Sequence, residues 1–137
     1  MTQHEPAFLA DHKLIQALER RSRPVSCGED CVLFCQGDPA CGLYILISGE
    51  AVLSMTSESG DVVMCLRVVA GSLLGLPGII GNEPYTLTAK ARKGSEVRFV
   101  PRSDFEDLIQ VEPSLSFAVL QVLAAEVRAA RQAFAEA

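Results

Sequence analysis

A chain of 137 residues is one domain's worth, enough for a single hydrophobic core. Its 49% hydrophobic and 21% charged residues, with a mean hydropathy of +0.25, describe a folded globular protein rather than a disordered one. The net charge of −5 and scattered Lys and Arg residues supply no general attraction for a phosphate backbone, so direct nucleic-acid binding is not expected. Residues 1–10 are polar and include Glu5 and Pro6, unlike a signal peptide or a membrane anchor. No apolar run is long enough to span a bilayer. These features predict a cytoplasmic protein without membrane association, whose five cysteines are thiols.

The first element is a helix within residues 7–21, where Phe8, Leu9, Leu14, Ile15 and Leu18 recur at helical spacing. From Val25 the rhythm changes to short apolar runs at 31–35, 43–47, 51–55, 62–69, 86–91 and 97–100. Turn-forming groups divide them: Gly28-Glu29-Asp30, Gly37-Asp38-Pro39, Ser48-Gly49, residues 57–61, and Lys93-Gly94-Ser95. Many short strands at this spacing predict a closed or double-layered antiparallel β-structure. Helix returns at 101–110, and Glu112-Pro113 breaks it. Pro113 suits the first turn of a last helix running towards Ala137, about 35 Å long. Leu120, Leu123, Val127, Ala130 and Phe134 form a stripe on it, widened by Leu115, Val119 and Val122. A stripe that broad predicts one face for the domain and a second for a partner helix, hence a homodimer. The alternative is a helix that simply caps a monomer.

The run Gly28-x-x-Cys31-Val32-Leu33-Phe34-Cys35-Gln36-Gly37-Asp38-Pro39-Ala40-x-Gly42-Leu43-Tyr44-Ile45-Leu46-Ile47-Ser48-Gly49 resembles the opening of a cyclic-nucleotide-binding domain. Val69-Ala70-Gly71-Ser72-Leu73-Leu74-Gly75 is similar to the strand leading into that family's phosphate cassette, and residues 104–113 resemble the hinge between its last two helices. The resemblance is to the sensory domain of the catabolite-activator/FNR (Crp/Fnr) transcription regulators and covers the chain from about Leu14 onward. It implies a mainly β fold with flanking helices. The core is an antiparallel β-roll (a jelly-roll-like double-stranded β-helix) at about 22–100, followed by helices at about 101–136 within one domain, 1–137. An N-terminal helix, a short cassette helix and a long C-terminal helix complete it. The chain would end just after that long helix, without the helix-turn-helix domain that such regulators carry.

In nucleotide-binding members the cassette reads roughly Gly-Glu and later Arg-Ser/Ala-Ala. The Glu receives the ribose hydroxyl, while the Arg and backbone N–H groups hold the phosphate. Here Gly75 is kept, but Leu76 stands at the Glu position and Pro77, which has no N–H, follows. Asn82-Glu83-Pro84-Tyr85-Thr86 occupies the Arg segment. Loss of charge-assisted bonds worth roughly 1.5–3 kcal/mol each predicts that cAMP and cGMP do not bind in the usual way. No cofactor is expected. The candidate ligand positions are Gly75, Leu76, Pro77, Gly78, Glu83, Pro84, Tyr85, Thr86 and, from the last helix, Arg131. Two outcomes stay open: a pocket repurposed for a less anionic or apolar ligand, or a roll whose pocket has become core.

Cys27, Cys31, Cys35, Cys41 and Cys65 include no Cys-x-x-Cys pair of the kind that metal and cluster sites use. Cys31 and Cys35 on one strand would stand about 13 Å apart, too far for a disulfide. Small buried hydrophobes are the expected role, with Cys41 on a loop the most exposed and a thiol sensor at Cys35, Cys41 or Cys65 the alternative. The two histidines, His4 and His12, both precede the barrel, so no metal site is expected. No nucleophile elbow or phosphate loop is present, and no catalysis is expected.

Overall fold

The computed structural model describes residues 8–136, with side chains described as far as Gln132. The chain opens with α1 (His12–Glu19). Strands β1 (Arg23–Val25), β2 (Cys31–Phe34), β3 (Gly42–Ser48), β4 (Glu50–Thr56), β5 (Val62–Val69) and β6 (Ser72–Leu74) follow. The short α2 (Leu76–Gly81) separates them from β7 (Thr88–Ala91) and β8 (Glu96–Pro101). The chain closes with α3 (Arg102–Val111), a single 3-10 turn at Pro113–Leu115, and α4 (Ser116–Glu136).

The strands form two four-stranded antiparallel sheets, ordered β1-β8-β3-β6 and β2-β7-β4-β5. Apart from the β4–β5 hairpin, successive strands cross between them, as in a jelly roll. The β3–β4 corner needs Gly49, whose φ is +93°, because a Cβ there would stand 2.3 Å from Ser95 Oγ. That hydroxyl also braces the corner, accepting the Glu50 N–H and donating to the Glu50 carbonyl, both at 3.1 Å. Leu43, Ile45, Leu46, Leu53, Val68, Leu73, Leu74, Val97 and Val100 are fully buried between and beside the sheets. Area buried on this scale is the main driving force for closing the roll.

The predicted roll, cassette helix and long last helix are therefore present. The first helix starts later than its apolar spacing suggested. Its N-cap is Asp11, whose carboxylate accepts the Lys13 N–H at 3.2 Å, while Leu9 pairs with Ser72 on β6 instead. Strands β1 and β6, three residues each, are too short to show a period of their own. Arg21 closes the base of the roll, with Nη1 donating to Asp107 Oδ2 at 2.6 Å and to the Asp104 carbonyl at 3.3 Å. No single helix among the described residues is long and apolar enough to cross a membrane.

Candidate pocket between roll and last helix

Strand β6 delivers the chain to Gly75, the N-cap of α2, at φ +96°. A Cβ at Gly75 would lie 3.0 Å from the Tyr85 ring and 3.3 Å from the Gly42 carbonyl, so only glycine lets the cassette approach this closely. Helix α2 then lasts six residues, with Pro77 in its first turn, and ends where Asn82 takes a left-handed conformation. The return segment is pinned by backbone bonds: Glu83 N–H to the Gly78 carbonyl (3.0 Å), Tyr85 N–H to the Asp38 carbonyl (2.9 Å), and Gly37 N–H to the Tyr85 carbonyl (2.8 Å).

Tyr85 is the buried anchor of this return. Its ring stacks on Phe34 with centroids 4.0 Å apart. Its hydroxyl donates to the Gly42 carbonyl at 2.6 Å and accepts the Gly42 N–H at 3.3 Å. Burial pushes the phenol up to about 12, so the hydroxyl stays protonated. Both of its hydrogen-bonding roles are taken by Gly42, which leaves little for a ligand.

The space that remains is a cavity of about 10 Å³ lined by Phe34, Leu74, Pro77, Tyr85, Leu87 and Glu126, with Phe8, Leu53, Gly75, Gly78 and Thr86 completing it. That is room for one water at most. Glu126 projects from α4, and its Oε2 is shielded from solvent with no hydrogen-bond partner among the described residues. Burial alone raises this carboxyl from its ordinary 4.5 to about 8. Among the described residues it is the one carboxyl in the lining, which holds no Lys, Arg or His.

The predicted site residues divide. Gly75, Pro77, Gly78, Tyr85 and Thr86 meet at the cavity. Leu76 does not line it, because its side chain is wholly buried in the core cluster. Glu83 and Pro84 are exposed on the return segment, and Arg131 is exposed on α4 one turn beyond Glu126; none of the three reaches the cavity. Glu126 was missed, although a signal for it existed. Among the described residues the buried ones of α4 are Val119, Val122 and Ala129, preceded by Leu115 in the 3-10 turn, and position 126 falls inside that stripe. On the opposite face Leu120 and Val127 are exposed together with Phe117, while Leu123 and Ala130 are half-buried. The side chain of Phe134 lies outside the described residues.

The cysteines depart from their expected role. None is buried: Cys35, Cys41 and Cys65 are exposed, and Cys27 and Cys31 are half-buried. Strand β2 is exposed or half-exposed at each of its first three residues, so Cys31 does not enter the core. Among the described residues no group of His, Cys, Asp and Glu is arranged to hold a metal. A wider apolar groove of about 610 Å³ lies elsewhere, between α2, α3 and α4, lined by Ile79, Ile80, Phe105, Ile109 and Val119.

A comparison with protein families matches residues 24–112 to the cyclic nucleotide-binding domain. The chain belongs to this family. Its relatives include the transcriptional activator protein Anr of Pseudomonas protegens, 28% identical over 120 residues, spanning 88% of this chain and 48% of Anr. The fumarate and nitrate reduction regulatory protein of Vibrio cholerae is 28% identical over 116 residues, spanning 85% of this chain and 45% of that protein. The catabolite activator protein of Thermus thermophilus superposes with a TM-score of 0.71 at 27% identity, covering 93% of this chain and 60% of that one. The chain thus spans about half the length of the curated relatives it matches. These homologues, Anr and the fumarate and nitrate reduction regulatory protein, are Crp/Fnr-family transcription regulators.

Proposed function

We propose that this cyclic nucleotide-binding domain is a non-catalytic, cytoplasmic regulatory module that does not answer to cAMP or cGMP and requires no cofactor. The observation that carries the reading is the size of the cavity and its lack of any countercharge for a phosphate. A cyclic nucleotide brings an anionic phosphate, and the lining offers it a buried carboxyl, no Lys or Arg, and about 10 Å³. Desolvating an anion beside Glu126 without a countercharge is strongly unfavourable. In this reading the output is association: Phe117, Leu120 and Val127 leave an apolar stripe on α4 exposed, suited to a homodimer with a second copy of the same helix. A protein partner, rather than direct contact with nucleic acid, would carry the signal further.

Isothermal titration with cAMP and cGMP tests the proposal. No saturable heat is expected up to about 1 mM ligand, whereas a complex near 1 µM would overturn it. A second reading, a pocket that opens for an uncharged small molecule, draws support from the aromatic and aliphatic lining around Phe34, Leu74 and Leu87. Native mass spectrometry separates the two: a bare dimer supports association, and a discrete bound mass supports the pocket.

A further inference from the structure

The connection from β1 to β2 brings two sulfurs together that four positions of sequence keep apart. Cys27 Sγ and Cys31 Sγ lie 2.6 Å from each other, and no other pair of sulfurs among the described residues makes such a contact. Both residues are half-buried, so a small oxidant can reach them. Cys31 is held by the sheet, where it pairs with Ala91 on β7. The preceding turn is anchored as well, because Asp30 Oδ1 accepts the Lys93 N–H at 2.6 Å. Cys27, at the other end of that turn, has Gly28 beside it, and a side chain on Gly28 would meet nothing within 4 Å. The loop therefore has room to adjust as a bond forms.

We propose that Cys27 and Cys31 form a reversible dithiol–disulfide site, closed by a hydroperoxide and reopened by a thiol reductant. Burial, with a hydrogen bond and charge repulsion from Cys31, pushes the Cys27 thiol up to about 11. Cys31, fixed in the sheet by its pairing with Ala91, is the attacking sulfur, and Cys27, on the turn beside Gly28 that has room to move, is the resolving one. The Cys31 thiolate attacks the outer oxygen of the hydroperoxide, the O–O bond breaks, and the corresponding alcohol leaves after taking up a proton. Cys31 is then a sulfenic acid. Cys27 attacks the Cys31 sulfur, loses its proton and displaces hydroxide, which leaves as water. Two thiols and one hydroperoxide thus give one disulfide, one alcohol and one water.

The position gives the bond something to act on. Strand β2 begins at Cys31 and ends at Phe34, which stacks on Tyr85 in the cavity wall. The site stands independently of the nucleotide reading, since its assay involves no nucleotide. The reduced full chain is treated with one equivalent of hydrogen peroxide, quenched with iodoacetamide, and its intact mass and peptides are measured. The oxidised chain should carry three carbamidomethyl groups where the reduced control carries five, with a mass about 2 Da below that of a triply labelled thiol form and a 27–31 cross-link that dithiothreitol reverses. Cys27→Ser should leave Cys31 as a sulfenic acid trapped by dimedone, while Cys31→Ser should leave Cys27 unreactive. Oxygen addition at Cys35, Cys41 or Cys65 while Cys27 and Cys31 remain alkylated would overturn the proposal. Equal trapping of both single variants would overturn the order of attack.

Discussion

Glu126 sets the pH behaviour of the fold. Its carboxyl is raised from 4.5 to about 8 by burial, so the folded protein holds this proton more tightly than the unfolded chain does. Folding is then favoured most while the group is protonated in both states, below about pH 4.5, and loses stability as pH rises towards 8. By pH 8 the opposing contribution is on the order of 4 kcal/mol. Glu126→Gln keeps the shape and removes the charge. Urea denaturation should show its midpoint well above the parent's at pH 8, with the two converging near pH 5; parallel profiles would contradict the burial of this carboxyl. Tyr85 yields a second expectation. Tyr85→Phe preserves the stack on Phe34 and leaves both Gly42 groups without their partner, which should cost about 1–3 kcal/mol in thermal denaturation. Neither role could be read from the sequence alone. A Glu amid Ala and Arg on a helix reads as solvated until the helix is laid on the roll. The Tyr85 bond joins residues 43 positions apart.

At the level of elements, the informative contrast is between the two faces of α4. Val119, Val122 and Ala129, with Leu115 of the preceding turn, are buried against the domain. Phe117, Leu120 and Val127 stand 68%, 58% and 50% exposed, enough apolar surface to favour a partner of similar shape. Because these side chains are mostly exposed in their own fold, Leu120→Asp with Val127→Asp should convert the proposed dimer to a folded monomer. Sedimentation velocity reads the mass, and circular dichroism confirms the fold; an unchanged dimer would remove α4 from the interface. The long strands and α4 were legible because their periods run over seven residues or more. Strand β1 was not, since three residues carry no period and Pro24 interrupts it, while β6, equally short, was placed only through the family resemblance of residues 69–75. The start of α1 was set by a capping carboxylate rather than by the apolar spacing, which continued past it.

The molecule as a whole joins a preserved shell to an altered interior. Glycine corners and buried aliphatics specify the roll, and both were visible as residue types. The cavity was visible only as missing features: no Glu after Gly75, and no Arg on the return segment. Gly75, Pro77, Gly78, Tyr85 and Thr86 were named for it, but Phe8, Phe34, Leu53 and Glu126 could not be placed there, because they come from α1's approach, β2, β4 and α4 at once. One contact gives this assembly a mechanical character. Arg102, the first residue of α3, donates from Nη2 to the Ile79 carbonyl in α2 at 3.0 Å and pairs with Glu106 at 3.5 Å. It works as a rivet between the cassette and the base of the C-terminal lever. A riveted joint passes load both ways. A disturbance at α2 is thereby felt at the start of α3, and one at α3 is felt at α2 with the same coupling free energy.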